Sequence, residues 1–218
     1  MNTDAMNASA LAFGIAAFLT LGGCLTEEPQ GPCVGPIVAT DIDETLTTAD
    51  NEFWQQLSDA SYDPAMRPEA NLLLQDYAAL GYGMVYVTAR GTDQVLPDGR
   101  STTEATQDWL DDHAFPQGLL YLHEGLPAAG ATAVEYKTGV LEALKVEGYS
   151  MAYAYGNADT DIEAFQNAGF ADTNIFLVGD LAGQMGVEPI LSEDAYANHR
   201  ATQMGSVDSV TCTVVAAE

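Results

Sequence analysis

The stretch Ile37-Val38-Ala39-Thr40-Asp41-Ile42-Asp43-Glu44-Thr45-Leu46 decides the fold of this chain. Its short apolar run is rich in β-branched residues, which predicts a buried strand that ends at two carboxylates, Asp41 and Asp43. In an open α/β sheet, ligands bind beyond the carboxyl ends of the strands, so we expect the chemistry here. Neighbouring aspartates repel each other, so the pair requires a bound cation or a proton on one of the two carboxylates. The alternative is an acidic turn that only closes the strand.

The rest of the chain alternates strand and helix patterns, which predicts an α/β fold, a Rossmann-like, doubly wound parallel sheet of about five strands. Further strands are predicted at 84–88, 119–122, 151–155 and 175–178, and helices at 68–80, 101–113, 138–147 and 160–168. After Gly179 only faint helical patterns remain, at 181–186 and 192–200. Because the intervals 42–87 and 89–136 are largely used by a core strand and helix, we expect no large cap domain.

The composition argues against a nucleic-acid partner. The chain has 32 acidic residues against 6 Lys and Arg, a net charge of −26, and such a surface repels phosphate backbones. The simplest interpretation of this acidity is solubility. The 218 residues, 47% of them hydrophobic, can bury one sizeable core, and we expect a monomer. Any anion site must draw on a short set of cations: Arg67, Arg90, Arg100, Lys137, Lys145 and Arg200.

The N-terminal region predicts export. Residues 8–21 form an uncharged apolar segment of signal-peptide length, too short to span a bilayer comfortably. The following Leu21-Gly22-Gly23-Cys24 resembles the bacterial lipobox, although no Lys or Arg precedes it. We therefore expect a signal peptide at 1–23, lipidation of Cys24, a tether at 24–36 and the folded domain at 37–218. This predicts a lipid-anchored protein of the bacterial cell envelope, in the outer membrane or periplasm if the cell is Gram-negative. The alternative is an N-terminal helix or a start codon placed too early.

Three further polar sites fall at predicted strand ends or helix starts. The second strand ends in Thr88-Ala89-Arg90, where a hydroxyl can donate to a phosphate oxygen. Lys137 lies just before the predicted helix 138–147, where its charge opposes the helix dipole, so we infer a compensating anion. The fourth strand leads into Gly156-Asn157-Ala158-Asp159-Thr160-Asp161, a turn that opens a helix.

Taken in order, these motifs resemble those of the haloacid-dehalogenase-like phosphotransferases. The closer resemblance is to the lipin-type domain, which includes phosphatidate phosphatases and the C-terminal domains of phosphatidylinositol-transfer proteins. It spans residues 36–180 and rests on four phrases: Tyr86–Arg90, His113–Gly118, Tyr136-Lys137 and Tyr155–Phe165. Two features depart from the family: Glu44 stands where lipins usually carry glycine, and the loop 91–100 is long.

The resemblance implies a role for each residue of the motifs. Asp41 would attack phosphorus and form an aspartyl-phosphate, while Asp43 would protonate the leaving alkoxide and then deprotonate the hydrolytic water. Mg²⁺ would be held by the Asp41 carboxylate, the Asp43 main-chain carbonyl and Asn157 or Asp161.

The basic and hydroxyl side chains have their own implied role. Thr88 and Lys137 would hold the oxygens of the transferring phosphoryl group, with Arg90 as a further phosphate-binding residue. Residues 53–62 are open to two interpretations, a small lid over the site or a segment packed on the sheet.

Three functional hypotheses follow from the resemblance. The favoured one is a Mg²⁺-dependent phosphomonoester hydrolase that acts on a phospholipid such as phosphatidate. The second is a broad-specificity, class C-type acid phosphatase, because those enzymes also combine Asp-x-Asp-Glu-Thr with a lipoprotein anchor. The third is a lipid-sensing module without turnover. Asp41 favours an enzyme, since such binding domains tend to lack the nucleophile.

Two cysteines remain if Cys24 is lipidated. Cys33 and Cys212 can form a disulfide in an oxidising compartment, which would join the two ends of the domain. The alternative is two unrelated thiols, because spacing alone does not show proximity.

Overall fold

A parallel six-stranded sheet forms the centre of the computed structural model, which describes residues 33–190, 195–211 and 213–214. In chain order the strands are β1 (Cys33–Val34), β2 (Pro36–Thr40), β3 (Gly83–Gly91), β4 (Leu119–His123), β5 (Ser150–Gly156), β6 (Ile175–Val178), β7 (Glu188–Ile190) and β8 (Thr213–Val214). The main sheet has the order β4-β3-β2-β5-β6-β7. β2 therefore lies at its centre, and the chain leaves β2 directly into the Asp41–Thr45 motif.

Helices cover both faces of this sheet, as the doubly wound prediction requires. They are α1 (Asn51–Ser58), α2 (Ala70–Ala79), α3 (Thr102–Asp112), α4 (Ala131–Val146), α5 (Asp159–Ala168) and α6 (Ala195–Gln203). Side chains alternate along β2: Val38 packs in the core with α2, α3 and α6, while Ile37 and Ala39 pack with α4 and α5. The α/β, Rossmann-like fold class is confirmed.

Several element boundaries differ from the sequence prediction. The sixth strand of the sheet, β7, was not predicted, because Glu188-Pro189-Ile190 is short and contains a proline, which sheets accept mainly at an edge. Helix α4 begins at Ala131 rather than at 138, and no helix forms at 181–186. The helical pattern at 192–200 corresponds to α6, whose described part begins at Ala195.

Both ends of the described chain meet in a small second sheet. β1 pairs with β8 in an antiparallel register that places Cys33 opposite Val214. Cys33 and Val34 thus belong to a strand, although the sequence assigned them to the tether. The signal peptide at 1–23, the lipidation site Cys24 and the cysteine Cys212 lie outside the described residues. Across the part of the chain that is described, no helix is both long enough and apolar enough to cross a membrane.

The intervals between the motifs hold no large cap in the described chain. Between β2 and β3 there are only α1 and α2, and between β3 and α4 there are α3 and β4 with their loops. The edge of the sheet where the motifs meet is therefore covered only by α1 and by short loops, which leaves an open cavity there.

Candidate active site

The predicted site residues meet in one cavity of about 330 Å³ at the carboxyl ends of the central strands. The end of β2 supplies Asp41 and Asp43, the end of β3 supplies Arg90, and α4 supplies Lys137. The cavity is lined by Asp41, Asp43, Glu44, Asp50, Phe53, Trp54, Ala89, Arg90, Pro127, Ala128, Ala129, Gly130, Ala133, Lys137, Asn157, Ala158, Thr160 and Asp161. Thr88 is fully buried and is not among the lining residues.

Asp41 shares one lysine with a second carboxylate. Lys137 Nζ donates to Asp41 Oδ1 and to Asp161 Oδ1, each at 2.6 Å, and all three side chains are almost fully buried. Burial raises the pKa of Asp41 to about 7; Lys137 opposes this shift, while the nearby carboxylates of Asp161 and Asp43 add to it. Burial alone would lower the pKa of Lys137, but the charges of Asp161 and Asp41 raise it above its ordinary value. The lysine is therefore charged, and its single positive charge cannot balance the negative charges of both buried carboxylates.

The helix-dipole argument for Lys137 is wrong, although its inference of a compensating anion holds. Because α4 begins at Ala131, Lys137 lies in the second turn of the helix and not at its N-terminus. The anions that compensate it are the carboxylates of Asp41, just after β2, and of Asp161, in the first turn of α5.

Asp43 has a cation of its own. Arg90 donates to it through two nitrogens, at 2.9 Å from Nε and 2.8 Å from the second terminal nitrogen, in a bidentate pair. The remaining terminal nitrogen of Arg90 donates to Thr106 Oγ1 at 3.0 Å, and the guanidinium lies 4.5 Å from the centre of the Phe53 ring. Irregular pairing between β3 and β4 after Thr88 gives the strand the local bend at which Arg90 stands. All three guanidinium nitrogens are thus occupied, and the phosphate-binding role of Arg90 stays a prediction.

The Thr88 hydroxyl also belongs to this second network. It donates to Asp43 Oδ2 at 3.3 Å and accepts from the main-chain N–H of Arg90 at 3.2 Å. In this arrangement it orients the carboxylate of Asp43, and its contact with a phosphate oxygen stays a prediction.

Asn157 connects the loop after β5 to the motif after β2. Its Oδ1 accepts from Thr45 Oγ1 at 3.0 Å, and the same hydroxyl lies 3.2 Å from Asp41 Oδ2. Its Nδ2 donates to Glu44 Oε2 at 3.1 Å. A further contact fixes the main chain of the motif after β2: the hydroxyl of Tyr196 in α6 donates to the carbonyl of Thr45 at 2.9 Å.

Asp161 serves the fold and the cavity at once. Its Oδ2 accepts from the main-chain N–H groups of Asn157 and Ala158, both at 3.1 Å, and so caps the first turn of α5. Its Oδ1 faces Lys137. Helix α5 begins at Asp159, one residue before the predicted start.

The cavity suits a hard divalent cation in its chemistry. Within the described residues, no three His, Cys, Asp or Glu side chains are grouped to hold a metal on their own. Mg²⁺ needs no such cage, because one or two carboxylates with water and substrate phosphate usually complete its octahedron. Asp41 Oδ2 and Asn157 Oδ1 both lie within hydrogen-bond distance of the Thr45 hydroxyl, so two oxygen donors are close together. The cavity is also lined by five carboxylates and only two basic side chains among the described residues, which leaves an excess of negative charge. The residues present therefore fit Mg²⁺ by donor type and by charge.

The match to a known family covers the whole site. Residues 38–179 match the family model described as PITM 1-3, LNS2 domain, which is more than half of the chain. The chain belongs to the LNS2 domain family. This is the transfer-protein branch that the sequence resemblance named, and it includes every predicted site residue from Asp41 to Asp161.

Curated relatives of this LNS2 domain are much longer proteins. The chain is 28% identical over 170 residues to protein retinal degeneration B of Drosophila melanogaster, covering 78% of this chain and 12% of the fly protein. It is 28% identical over 153 residues to membrane-associated phosphatidylinositol transfer protein 3 of Mus musculus, covering 70% of this chain and 14% of that protein. The chain thus spans about an eighth of the length of these relatives.

The fold of this LNS2 domain is similar to that of a solved structure. A crystal structure described as a HAD-like phosphatase from Mesorhizobium loti superimposes with a TM-score of 0.51 at 17% identity. The match covers 80% of this chain and 88% of the other. At this identity the comparison shows the shared fold alone, because one fold can carry many different chemistries.

The rim of the cavity was only partly foreseen. In α1, Phe53 packs against the guanidinium of Arg90, while Trp54 is 49% exposed at the cavity wall. One side of this segment is therefore packed against the domain and the other faces solvent beside the cavity. The loop 125–130 forms the facing wall of the cavity. This loop lies so close to Gly91 that a Cβ atom at position 91 would lie 2.3 Å from the carbonyl oxygen of Gly125 and would collide with it. This close approach holds the wall against the end of β3.

Sequence reasoning gave no role to Thr45 or Thr106. Thr45 could have been found, because it lies two residues after Asp43 in the same motif. Thr106 lies inside helix α3 and carries no local pattern that marks it as the partner of Arg90.

Proposed function

We propose that this LNS2 domain is a Mg²⁺-dependent phosphomonoester hydrolase that works through an aspartyl-phosphate. The observation that carries the proposal is the pair of carboxylates in one cavity, each held by a different cation. Asp41 Oδ1 is fixed by Lys137, and both oxygens of Asp43 are fixed by Arg90. A nucleophile and a separate acid–base group are the two groups that a two-step hydrolysis requires.

The proposed reaction has two displacements at phosphorus. A carboxylate oxygen of Asp41 attacks phosphorus and the bond to the leaving alcohol oxygen breaks, while Asp43 in its carboxylic acid form donates its proton to that oxygen and becomes a carboxylate. Water then attacks the same phosphorus, Asp43 takes the proton of the water, and the bond to Asp41 breaks to release inorganic phosphate. Lys137 stabilises negative charge that develops beside Asp41.

Mg²⁺, when bound, would supply positive charge next to the phosphoryl oxygens. The residues proposed to hold it are Asp41, the main chain of Asp43, and Asn157 or Asp161. Five carboxylates line the cavity, so a phosphate group that enters without a cation meets strong repulsion.

Phosphatidate is the proposed substrate, and the outer cavity supports this choice. Trp54 and the wall Pro127–Ala129 offer apolar surface, while Glu44 and Asp50 bring negative charge. Arg90 and Lys137 are the basic side chains that line the cavity among the described residues. A leaving group with additional phosphates would be repelled there, whereas the leaving group of phosphatidate, diacylglycerol, is uncharged. The open edge of the sheet leaves room for a substrate that remains in a lipid surface.

The test is phosphate release from a panel of phosphomonoesters, with and without Mg²⁺. The panel contains phosphatidate in phosphatidylcholine vesicles, a soluble short-chain phosphatidate, glycerol 3-phosphate and p-nitrophenyl phosphate. The proposal expects Mg²⁺-dependent release with the two phosphatidates preferred. Equal turnover of all four esters would favour the second candidate, a broad-specificity acid phosphatase of class C type, which the Asp-Ile-Asp-Glu-Thr motif at 41–45 also suits. Saturable binding of phosphatidate vesicles without phosphate release would favour the lipid-sensing module.

We also propose that the domain is a monomer tethered to the bacterial envelope through lipidated Cys24, and that Cys33 and Cys212 are bonded. Mass spectrometry of the purified full chain tests both modifications. The proposal expects a mature N-terminus at Cys24 with attached acyl chains, and no free thiol at either of the other cysteines. An unmodified chain that begins at Met1 would contradict the anchor.

A further inference from the structure

Glu44 occupies a backbone conformation that favours glycine. Its φ is +55°, in the left-handed region that side chains with a Cβ adopt at an energetic cost. The turn itself is held by main-chain atoms: Glu44 N–H donates to Thr47 Oγ1 at 3.0 Å, and the Glu44 carbonyl accepts from Arg67 Nε at 2.9 Å. Glycine could make both bonds without strain, so the turn does not explain the glutamate.

Within the part of the chain that the structure describes, the carboxylate of Glu44 has one hydrogen-bond partner, the amide of Asn157. Asn157 Nδ2 donates to Glu44 Oε2 at 3.1 Å, and Asn157 Oδ1 accepts from Thr45 Oγ1 at 3.0 Å. A hydroxyl both donates and accepts, so Thr45 alone would tolerate either orientation of the amide. An ionised carboxylate only accepts, and it therefore allows one orientation, with the Asn157 oxygen on the side of Asp41.

We propose that Glu44 is a positioning residue that fixes the Asn157 amide with its oxygen facing the Asp41 side of the cavity. This geometry presents an oxygen donor next to Asp41 Oδ2, since both atoms lie within hydrogen-bond distance of the same Thr45 hydroxyl. The inference rests on the proposed function for the identity of the cation, Mg²⁺. In this proposal the strained glutamate supports cation binding. Replacing it with glycine lowers the Mg²⁺ affinity and removes the backbone strain.

Three variants separate positioning from a structural role. Glu44→Gly removes both the strain and the acceptor, while Glu44→Gln keeps an acceptor oxygen for the Asn157 amide. Met185→Gly is the matched control, because Met185 is also non-glycine with φ +60° but is exposed and does not line the cavity. Each protein is measured without metal by thermal unfolding and with Mg²⁺ by titration calorimetry.

Glu44→Gly is expected to melt at the same temperature as the wild type or higher, yet to bind Mg²⁺ about 10–100-fold more weakly, the usual loss when an outer partner of a ligand is removed. The Mg²⁺ affinity of Glu44→Gln is expected to be closer to that of the wild type than to that of Glu44→Gly. Met185→Gly gains stability without a change in Mg²⁺ binding. A lower melting temperature of Glu44→Gly together with unchanged Mg²⁺ affinity would overturn the proposal.

A second readout keeps the inference separate from the proposed function. The side-chain amide signals of Asn157, identified by their loss in Asn157→Asp, are recorded by NMR in the metal-free protein. Glu44→Gly should move these signals, and Glu44→Gln should keep them close to the wild-type positions. Unmoved signals in Glu44→Gly overturn the positioning role. If wild-type protein bound no Mg²⁺ while the signals moved, the proposed cofactor would be wrong and the positioning of Asn157 would stand.

Discussion

Asp41 and Asp43 stand two residues apart in one motif and meet opposite surroundings. Asp41 is buried, and its basic partner Lys137 is shared with Asp161. The side chain of Asp43 is 21% exposed and holds the two nitrogens of Arg90 without a competing carboxylate. The negative charge of Asp41 is therefore only partly balanced by a neighbouring cation, whereas the negative charge of Asp43 is balanced by Arg90.

This difference explains how one motif can supply two chemical roles. A carboxylate that lacks compensating charge binds a cation readily, and in the proposed reaction Lys137 orients Asp41 for attack on phosphorus. A carboxylate with its own guanidinium stays in place at the cavity wall, where it can give and take a proton. Each role thus depends on a different partner, and the partners can be removed separately.

The largest effect is expected from Asp41→Asn. The amide is nearly isosteric but cannot form an acyl-phosphate, so turnover should fall on the order of 10⁴-fold or more, as for other lost nucleophiles. Phosphate release under saturating Mg²⁺ measures this, with circular dichroism as the control that the fold is intact. Retained turnover would remove Asp41 from the nucleophile role.

Lys137→Ala should affect the fold as well as the reaction. It leaves Asp41 and Asp161 buried and facing each other without a cation, and such loss of one buried partner costs about 3–5 kcal/mol of unfolding free energy. Urea unfolding measures the loss, and activity should be almost absent while Mg²⁺ binding remains. The double variant with Asp161→Asn should recover part of the stability. If the single variant were fully active, Arg90 would be the next basic group to consider.

Arg90→Lys should give a smaller and more selective loss. Lysine cannot form the bidentate pair, so Asp43 is displaced and turnover should fall by up to about 100-fold. The loss should be largest for alkyl phosphates and smallest for p-nitrophenyl phosphate, whose leaving group needs no proton. An equal loss for both substrates would mean that Arg90 acts on the phosphoryl group itself, as the sequence resemblance implied.

The smallest effect is expected away from the cavity, at His199 of α6, and it concerns the stability of the fold. The centre of its ring lies 4.4 Å from that of Phe176 in an edge-to-face contact, and its Nε2 lies 3.0 Å from Tyr155 Oη. Burial lowers the pKa of His199 to about 4 from 6.5. Because the unfolded chain then binds the proton more tightly, this contribution to stability is fully present above pH 6.5 and is lost as the pH falls towards 4.

Thermal unfolding across this pH range tests the prediction. In His199→Gln the decrease between pH 6.5 and 4 should be smaller, while turnover at pH 7 should match the wild type. A pH dependence that His199→Gln leaves unchanged would assign the decrease to other groups.

Much of the fold was readable because its strands are local and strongly patterned. The runs at 37–39, 84–87 and 175–178 are continuously apolar, and each falls inside an observed strand. Residues 131–137 of α4 were missed because Gly130 lacks a capping side chain and the first turn carries no acidic residue, so the helix start has no marker. β7 was missed because its three residues pair only through the tertiary register with β6.

For the site, the sequence identified the residues but not their pairings. The order of motifs brought Asp41, Asp43, Lys137 and Asp161 together as expected. That Arg90 would bind Asp43 depends on the bend at the end of β3 and on Thr106 in α3, which no local pattern reveals. The orientation of Asn157 likewise depends on Glu44, 113 positions away.

The most direct test of the two roles is to trap the phosphorylated protein in Asp43→Asn. With p-nitrophenyl phosphate and Mg²⁺, this variant should release a burst of p-nitrophenol, because the leaving group needs no proton, and then stall without its base. Mass spectrometry of the acid-quenched protein should find one phosphoryl group on the peptide that contains Asp41, and none in the double variant with Asp41→Asn. A phosphoryl group on another residue, or steady turnover without any phosphorylated protein, would contradict the account.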